Sequence, residues 1–207
     1  NNYHQEKINH KKVLKLFIEV EKDLLNDIEE GYLISKWWEK QERLLDAFLK
    51  GDKPQSYFEK DMRSFVRLGR SNYPLIKSDG SFRQLNNQKD ILTGQYDEVF
   101  KKLNRLYIER GDLLNRVENQ FRNGTLKYRN YLYETYDWME DLDNREYTKE
   151  VKDYFFKNRY HRKQLVKHRH FGGYYYGQIV NYINESLVVY LLLHTITSPQ
   201  VPFPGII

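Results

Sequence analysis

Six cations stand in thirteen residues between Lys157 and Arg169: Lys157, Arg159, Arg162, Lys163, Lys167 and Arg169, with no carboxylate among them. Tyr160, His161 and His168 are interleaved with them. A cationic run of this density is suited to the phosphates of nucleic acid or of lipid headgroups, because each neutralised phosphate releases counter-ions. The same charges also fit a solvated helix face, or one that meets the acidic face of the first helix. Clustered tyrosines at 128, 131, 133 and 136 have aromatic faces on which bases stack, but in a helix they read first as core and rim.

Other chemistries find less material. His161 and His168 lie seven residues apart on one helix face, too far for one metal without a third element, and with His170 they are expected on a solvated face. No Glu is followed by His at the third position, so the Glu-x-x-His pairs of di-iron bundles are missing. The acidic run Glu21, Asp23, Asp27, Glu29 and Glu30 reads as an exposed helix face with Lys and Arg nearby. The segment GGYYYGQ lacks the Gly-Lys-Ser/Thr ending of a phosphate loop, so Gly172 and Gly173 are expected to bend a helix or let another pack closely. There is no Gly-x-Ser-x-Gly elbow, and with no Cys there is no thiol nucleophile, disulfide or thiolate-held metal. No catalytic, cofactor-binding or metal-binding residue is assigned, no cofactor is expected, and the expectation is a protein that is not an enzyme.

These residues must be carried by helices. Of five Pro in 207 residues, three lie in the last nine, which leaves the body of the chain poor in helix breakers. Charged residues make up 30% and hydrophobic residues 40%, the balance of a folded domain. A net charge of +5 is mild, so nucleic acid is not the expected partner; a protein partner or self-association is. No run approaches ~18 consecutive apolar residues, so Leu187–Leu193 reads as buried helix and no segment is expected to span a membrane.

A first helix is predicted from about His4 to Lys50, roughly 70 Å long. Phe17, Leu24, Gly31, Trp38 and Leu45 recur every seventh residue, with Leu14, Ile28 and Leu49 on a companion seam. A left-handed supercoil would keep that stripe facing one partner. Gly51 and Pro54 end the helix. Ser56 and Glu59 then spell a capping box before a short helix to about Leu68, and residues 69–87 form a long non-helical stretch. A third helix is predicted over 88–122. Its apolar face runs through Leu92, Tyr96, Val99, Phe100, Leu103, Leu106, Tyr107, Leu114, Val117 and Phe121, and Asn123-Gly124 stops it. A fourth follows over 125–141. A last helical stretch over 149–195 has Thr148 as N-cap and a stripe of Tyr176, Ile179, Val180, Ile183, Leu187, Tyr190 and Leu191. The expected fold is all-α: an elongated antiparallel bundle of long amphipathic helices, a single domain over 1–197 with an extended tail over 198–207.

Two places carry a resemblance. Asn1-Asn2-Tyr3-His4 opens the chain, and Tyr73, Asp79-Gly80, Leu85-Asn86-Asn87, Ile91 and Tyr96 follow in order. Together they resemble an uncharacterised family of small bacterial single-pass membrane proteins. Members have a short basic N-terminus, one transmembrane helix, an Asn-Asn-Trp-Asn junction and a charged helical domain; here Tyr3 stands for Trp and His4 for Asn. The resemblance implies a membrane anchor ahead of Asn1 and a domain on the periplasmic side of the bacterial inner membrane, a basic segment before the anchor staying inside. It implies no activity. The leading expectation is a membrane-tethered periplasmic module acting as sensor, scaffold or partner-binding domain. The alternative is a cytoplasmic module that binds nucleic acid or anionic lipid through residues 157–169.

Overall fold

A computed structural model describes residues 2–88 and 94–198. Asn1, Ile91, Leu92 and the tail beyond Ser198, all invoked above, lie outside the described residues. The fold is all-α, with no strand among the described residues. The helices are α1 (Asn2–Lys50), α2 (Gln55–Glu59), α3 (Met62–Arg67), α4 (Gly80–Asn86), α5 (Asp97–Asn104), α6 (Gly111–Thr135), α7 (Met139–Asp143), α8 (Lys149–Lys157) and α9 (Arg159–Thr197), with a wider π-type turn over Arg105–Arg110 between α5 and α6.

The heptad stripe of α1 is buried at all five positions. The companion seam is Val13, Val20, Asp27, Ile34 and Phe48, one position before the expected Leu14, Ile28 and Leu49, which are only half-buried. Gly51 ends the helix in the left-handed conformation, φ 75°. There Asp52 N–H donates to Ala47 O at 3.1 Å and Gly51 N–H to Phe48 O at 3.3 Å, so the last carbonyls are satisfied.

Several helix ends differ from expectation. The Ser56/Glu59 capping box does not form: α2 starts at Gln55 after Pro54, and Glu59 accepts from the Gln55 side chain at 3.0 Å. Asp61 instead caps a separate α3, accepting from Ser64 N–H at 3.0 Å. A short α4 sits inside the stretch expected to be non-helical. Asn123-Gly124 does not stop a helix; α6 runs through it to Thr135. The final helical stretch breaks at Asn158, not at Gly172-Gly173. Asn158 is extended (ψ 123°), and its side chain accepts from Tyr160 N–H at 2.8 Å and His161 N–H at 3.0 Å. Thr148 caps α8 as expected.

The chain divides into two compact units. The first comprises Asn1–Tyr32, Leu75–Leu113 and Val180–Ile207. Its core includes Phe17, Leu24, Phe82, Leu103, Tyr107 and Leu193, and Phe82 stacks on Tyr107 with ring centres 4.7 Å apart. A polar knot sits within it. Asp27 is 1% exposed, although its run reads as a surface face. Its carboxylate accepts from Ser78 N–H and from Tyr182 O–H, both at 2.8 Å. One turn earlier, Asp23 accepts from Ser81 N–H at 3.2 Å. The two carboxylates thereby fasten residues 78–81 onto α1. Burial raises the Asp27 pKa, and Asp23 adds to the rise; hydrogen bonds from Ser78 and Tyr182 oppose it.

Among the described residues, α9 is the helix long and apolar enough to cross a membrane by length and composition. An 18-residue window reaches a mean hydropathy of 1.3 with 28% of it buried. The count of consecutive apolar residues missed this because Asn181, Asn184 and Glu185 interrupt the run. Glu185 pairs with Arg110 at 2.6 Å. The inward stripe of this part of α9 is Tyr182, Ser186, Val189 and Leu193. Val180, Leu187 and Leu191, assigned to the core stripe from sequence, are exposed.

The second unit comprises Leu33–Pro74 and Leu114–Ile179. Its core is aromatic. Trp38 stacks on Tyr176 at 4.5 Å, and Phe48 meets Phe65 edge-on at 4.9 Å. Each such pair contributes about 0.5–1.5 kcal/mol beyond burial of its area.

Candidate functional site

The cations of residues 157–169 do not form one patch, because a helix turns successive residues away from one another. Lys157 closes α8 and pairs with Asp153 at 2.6 Å. Arg162 and Arg169 turn toward α1: Arg162 donates to the Leu49 carbonyl and lies over the Phe48 ring, and Arg169 pairs with Asp46. Arg159 and Lys163 are exposed. Lys167 points elsewhere, to the rim of a pocket.

That pocket, about 480 Å³, lies between α6 and α9 in the second unit. Phe121, Tyr128, Tyr160 and Phe171 supply aromatic wall; Lys127 and Lys167 supply charge; Thr125, Gln164 and His168 supply neutral polar groups. Its geometry follows from helical spacing. On α6, Phe121, Thr125 and Tyr128 recur at four and three residues; on α9, Tyr160, Gln164, Lys167, His168 and Phe171 do the same. Gly124 also lines the pocket, and a β-carbon built there would find no atom within 4 Å. Any side chain at 124 would project into space that is now open.

The polar groups beneath are fixed and neutral. Thr125 Oγ1 donates to the Phe121 carbonyl at 3.1 Å and lies 3.5 Å from His168 Nδ1. His161, expected on a solvated face, is fully buried, and its Nδ1 shares a short hydrogen bond with the Tyr128 hydroxyl. His168 is buried too. Burial pushes both imidazoles down to about 3, with Arg70 adding to the effect at His161, so both are neutral at ordinary pH. Burial also raises the Tyr128 pKa. A site walled by neutral imidazole, hydroxyl and aromatic rings, with ammonium groups at the rim, has the chemistry to receive a flat apolar body with an anionic substituent.

Among the described residues no group of three or more His, Asp or Glu is placed to hold a metal ion. Sequence reasoning found Lys167 but missed the pocket. Its signal was present in the four-and-three spacing of Phe121, Thr125 and Tyr128, which the helix stop expected at Asn123-Gly124 divided between two helices. Comparison with family models, curated proteins and solved structures gives no match.

Proposed function

We propose that this chain is a non-enzymatic helical binding module of the sensor or scaffold type, whose ligand occupies the pocket between α6 and α9. The observation that carries the reading is the open space at Gly124 in a helix interior. Gly124 is exposed and lines a pocket of about 480 Å³, where glycine costs about 1 kcal/mol relative to Ala. That volume is within the range of small-molecule sites. The ligand class is a planar or aliphatic molecule with one acidic group, its body against Tyr160 and Phe171 and its charge toward Lys127 and Lys167. The test is saturable binding of an aromatic sulfonate probe that Gly124→Leu removes.

The proposal keeps the module on a membrane, in the periplasm of a bacterial cell. Its support is the resemblance of the N-terminal residues to the anchored family, together with the apolar length of α9. Fractionation of cells producing the full-length protein tests it; recovery in the soluble cytoplasmic fraction would overturn it. Binding of nucleic acid or anionic lipid through residues 157–169 has less support, because Lys157, Arg162 and Arg169 are already engaged within the chain.

A further inference from the structure

Five arginines from three separate stretches of the sequence line one polar cavity of the second unit, about 410 Å³ in volume. Arg63 and Arg67 come from α3, Arg70 from the turn after it, Arg129 from α6 and Arg145 from the turn after α7. Asp143 is the carboxylate on the cavity wall, and its Oδ2 accepts from the Tyr133 hydroxyl at 2.6 Å. One carboxylate against five guanidinium groups leaves a strongly cationic concavity in a chain whose total net charge is +5.

Two of these arginines are held in ways that core packing does not require. Arg70 is half-buried; its Nη1 donates to the Val66 carbonyl at 3.4 Å, and its Nε is buried with no partner among the described residues. A guanidinium withdrawn from water and left partly unsatisfied is stabilised by an anion brought to it. Arg145 has φ 64°, the left-handed conformation. Its N–H donates to Leu142 O at 3.0 Å and that of Glu146 to Asp141 O at 2.8 Å. This is the helix-ending turn in which glycine is the usual and least strained residue. Here the position carries a long cation that reaches the cavity instead.

We propose that this cavity binds a phosphoryl group: a phosphate monoester or pyrophosphate, carried by a soluble molecule or by a lipid headgroup. Guanidinium forks match tetrahedral oxyanions through paired N–H donors, and several of them together select a multiply charged group over a lone carboxylate. A concavity of this size encloses one or two phosphates and no nucleic-acid strand. The site is separate from the pocket between α6 and α9 and does not rest on it.

Calorimetric titration of the whole chain with pyrophosphate, inorganic phosphate and glycerol 3-phosphate, at constant ionic strength, tests the assignment. Pyrophosphate is expected to bind once per chain. Arg129→Gln and Arg145→Gly are each expected to weaken it at least tenfold. Arg145→Gly also relieves a left-handed non-glycine residue, so its melting temperature should equal or exceed that of the parent, which separates lost binding from lost folding. Arg159→Gln/Lys163→Gln, which removes two exposed cations outside the cavity, should leave affinity unchanged. Cosedimentation with phosphatidic acid vesicles distinguishes the sources: capture that Arg145→Gly abolishes assigns a headgroup, and no capture assigns a soluble ester. Absence of saturable pyrophosphate binding at millimolar concentration overturns the proposal. So does binding that Arg145→Gly and Arg129→Gln leave intact, or that the Arg159/Lys163 variant weakens equally.

Discussion

The indole of Trp38 fills the space that a β-carbon at Gly172 would need. Trp38 also stacks on Tyr176 and meets Phe121 edge-on at 6.1 Å. Gly172 of α9 therefore serves close packing, and the helix continues without a break through the glycine pair from Arg159 to Thr197. Gly172 and Gly173 differ in this respect: a β-carbon at 173 would meet nothing nearer than a Glu42 side-chain oxygen at 3.9 Å.

Gly172→Ala should therefore destabilise by about 1–3 kcal/mol through overpacking, and Trp38→Ala by about 3–5 kcal/mol through the cavity it leaves. Gly173→Ala should be neutral or stabilising by up to about 1 kcal/mol from helix propensity. The Trp38→Ala/Gly172→Ala pair should cost less than the sum, because removing the indole removes the clash. Urea melts check all four; equal effects of the two glycine substitutions would refute the packing account.

The two buried imidazoles set an acid limit. In the folded chain their pKa values lie near 3; in the unfolded chain they lie near the ordinary ~6.5. Between these values the unfolded state holds the extra proton, so the stabilisation present above about pH 6.5 is lost as pH falls toward 3. Each histidine contributes a slope of roughly 1.4 kcal/mol per pH unit over that window. Asp27, whose pKa is raised, acts in the opposite direction. His161→Gln with His168→Gln should flatten the decline in stability between pH 6 and 4, measured by denaturant melts. An unchanged slope would mean that the imidazoles are accessible to protons.

Asp27 accepts from two donors, the half-buried Ser78 N–H and the buried Tyr182 O–H, both at 2.8 Å. Asp27→Ala should leave Ser78 N–H and Tyr182 O–H without a partner and cost about 1–3 kcal/mol for each group that stays buried. Hydrogen exchange should rise at residues 78–81, which the carboxylates of Asp23 and Asp27 fasten to α1. Protection at Ser78 unchanged from the parent would contradict this.

The all-α class and the α1 stripe were legible because Phe17, Leu24, Trp38 and Leu45 repeat at one strict period that only a helix satisfies. The face of α6 from Leu114 to Phe121 was legible for the same reason. The inward stripe of α9 was not. Beyond Gly173 nearly every turn offers an apolar residue, so periodicity alone could not choose Val189 over Leu187 or Leu191. Asp27 was read as exposed because a carboxylate gives no sign of the distant Ser78 and Tyr182 that satisfy it. Asn123-Gly124 was read as a stop because local propensity favours one there; tertiary packing carries α6 through it. Of the site, Lys167 was visible as charge. The arginine cavity was not, since Arg129 and Arg145 meet Arg63, Arg67 and Arg70 only in the folded chain.

The pocket between α6 and α9 is tested most directly at Gly124. Titration of the parent chain with 1-anilinonaphthalene-8-sulfonate should show one saturable site by fluorescence. Gly124→Leu should fold at least as stably, since a helix former replaces glycine, and should lose that site because its side chain fills the cavity. Gly124→Leu that binds the probe as the parent does, or a parent chain with no saturable site, would contradict the account.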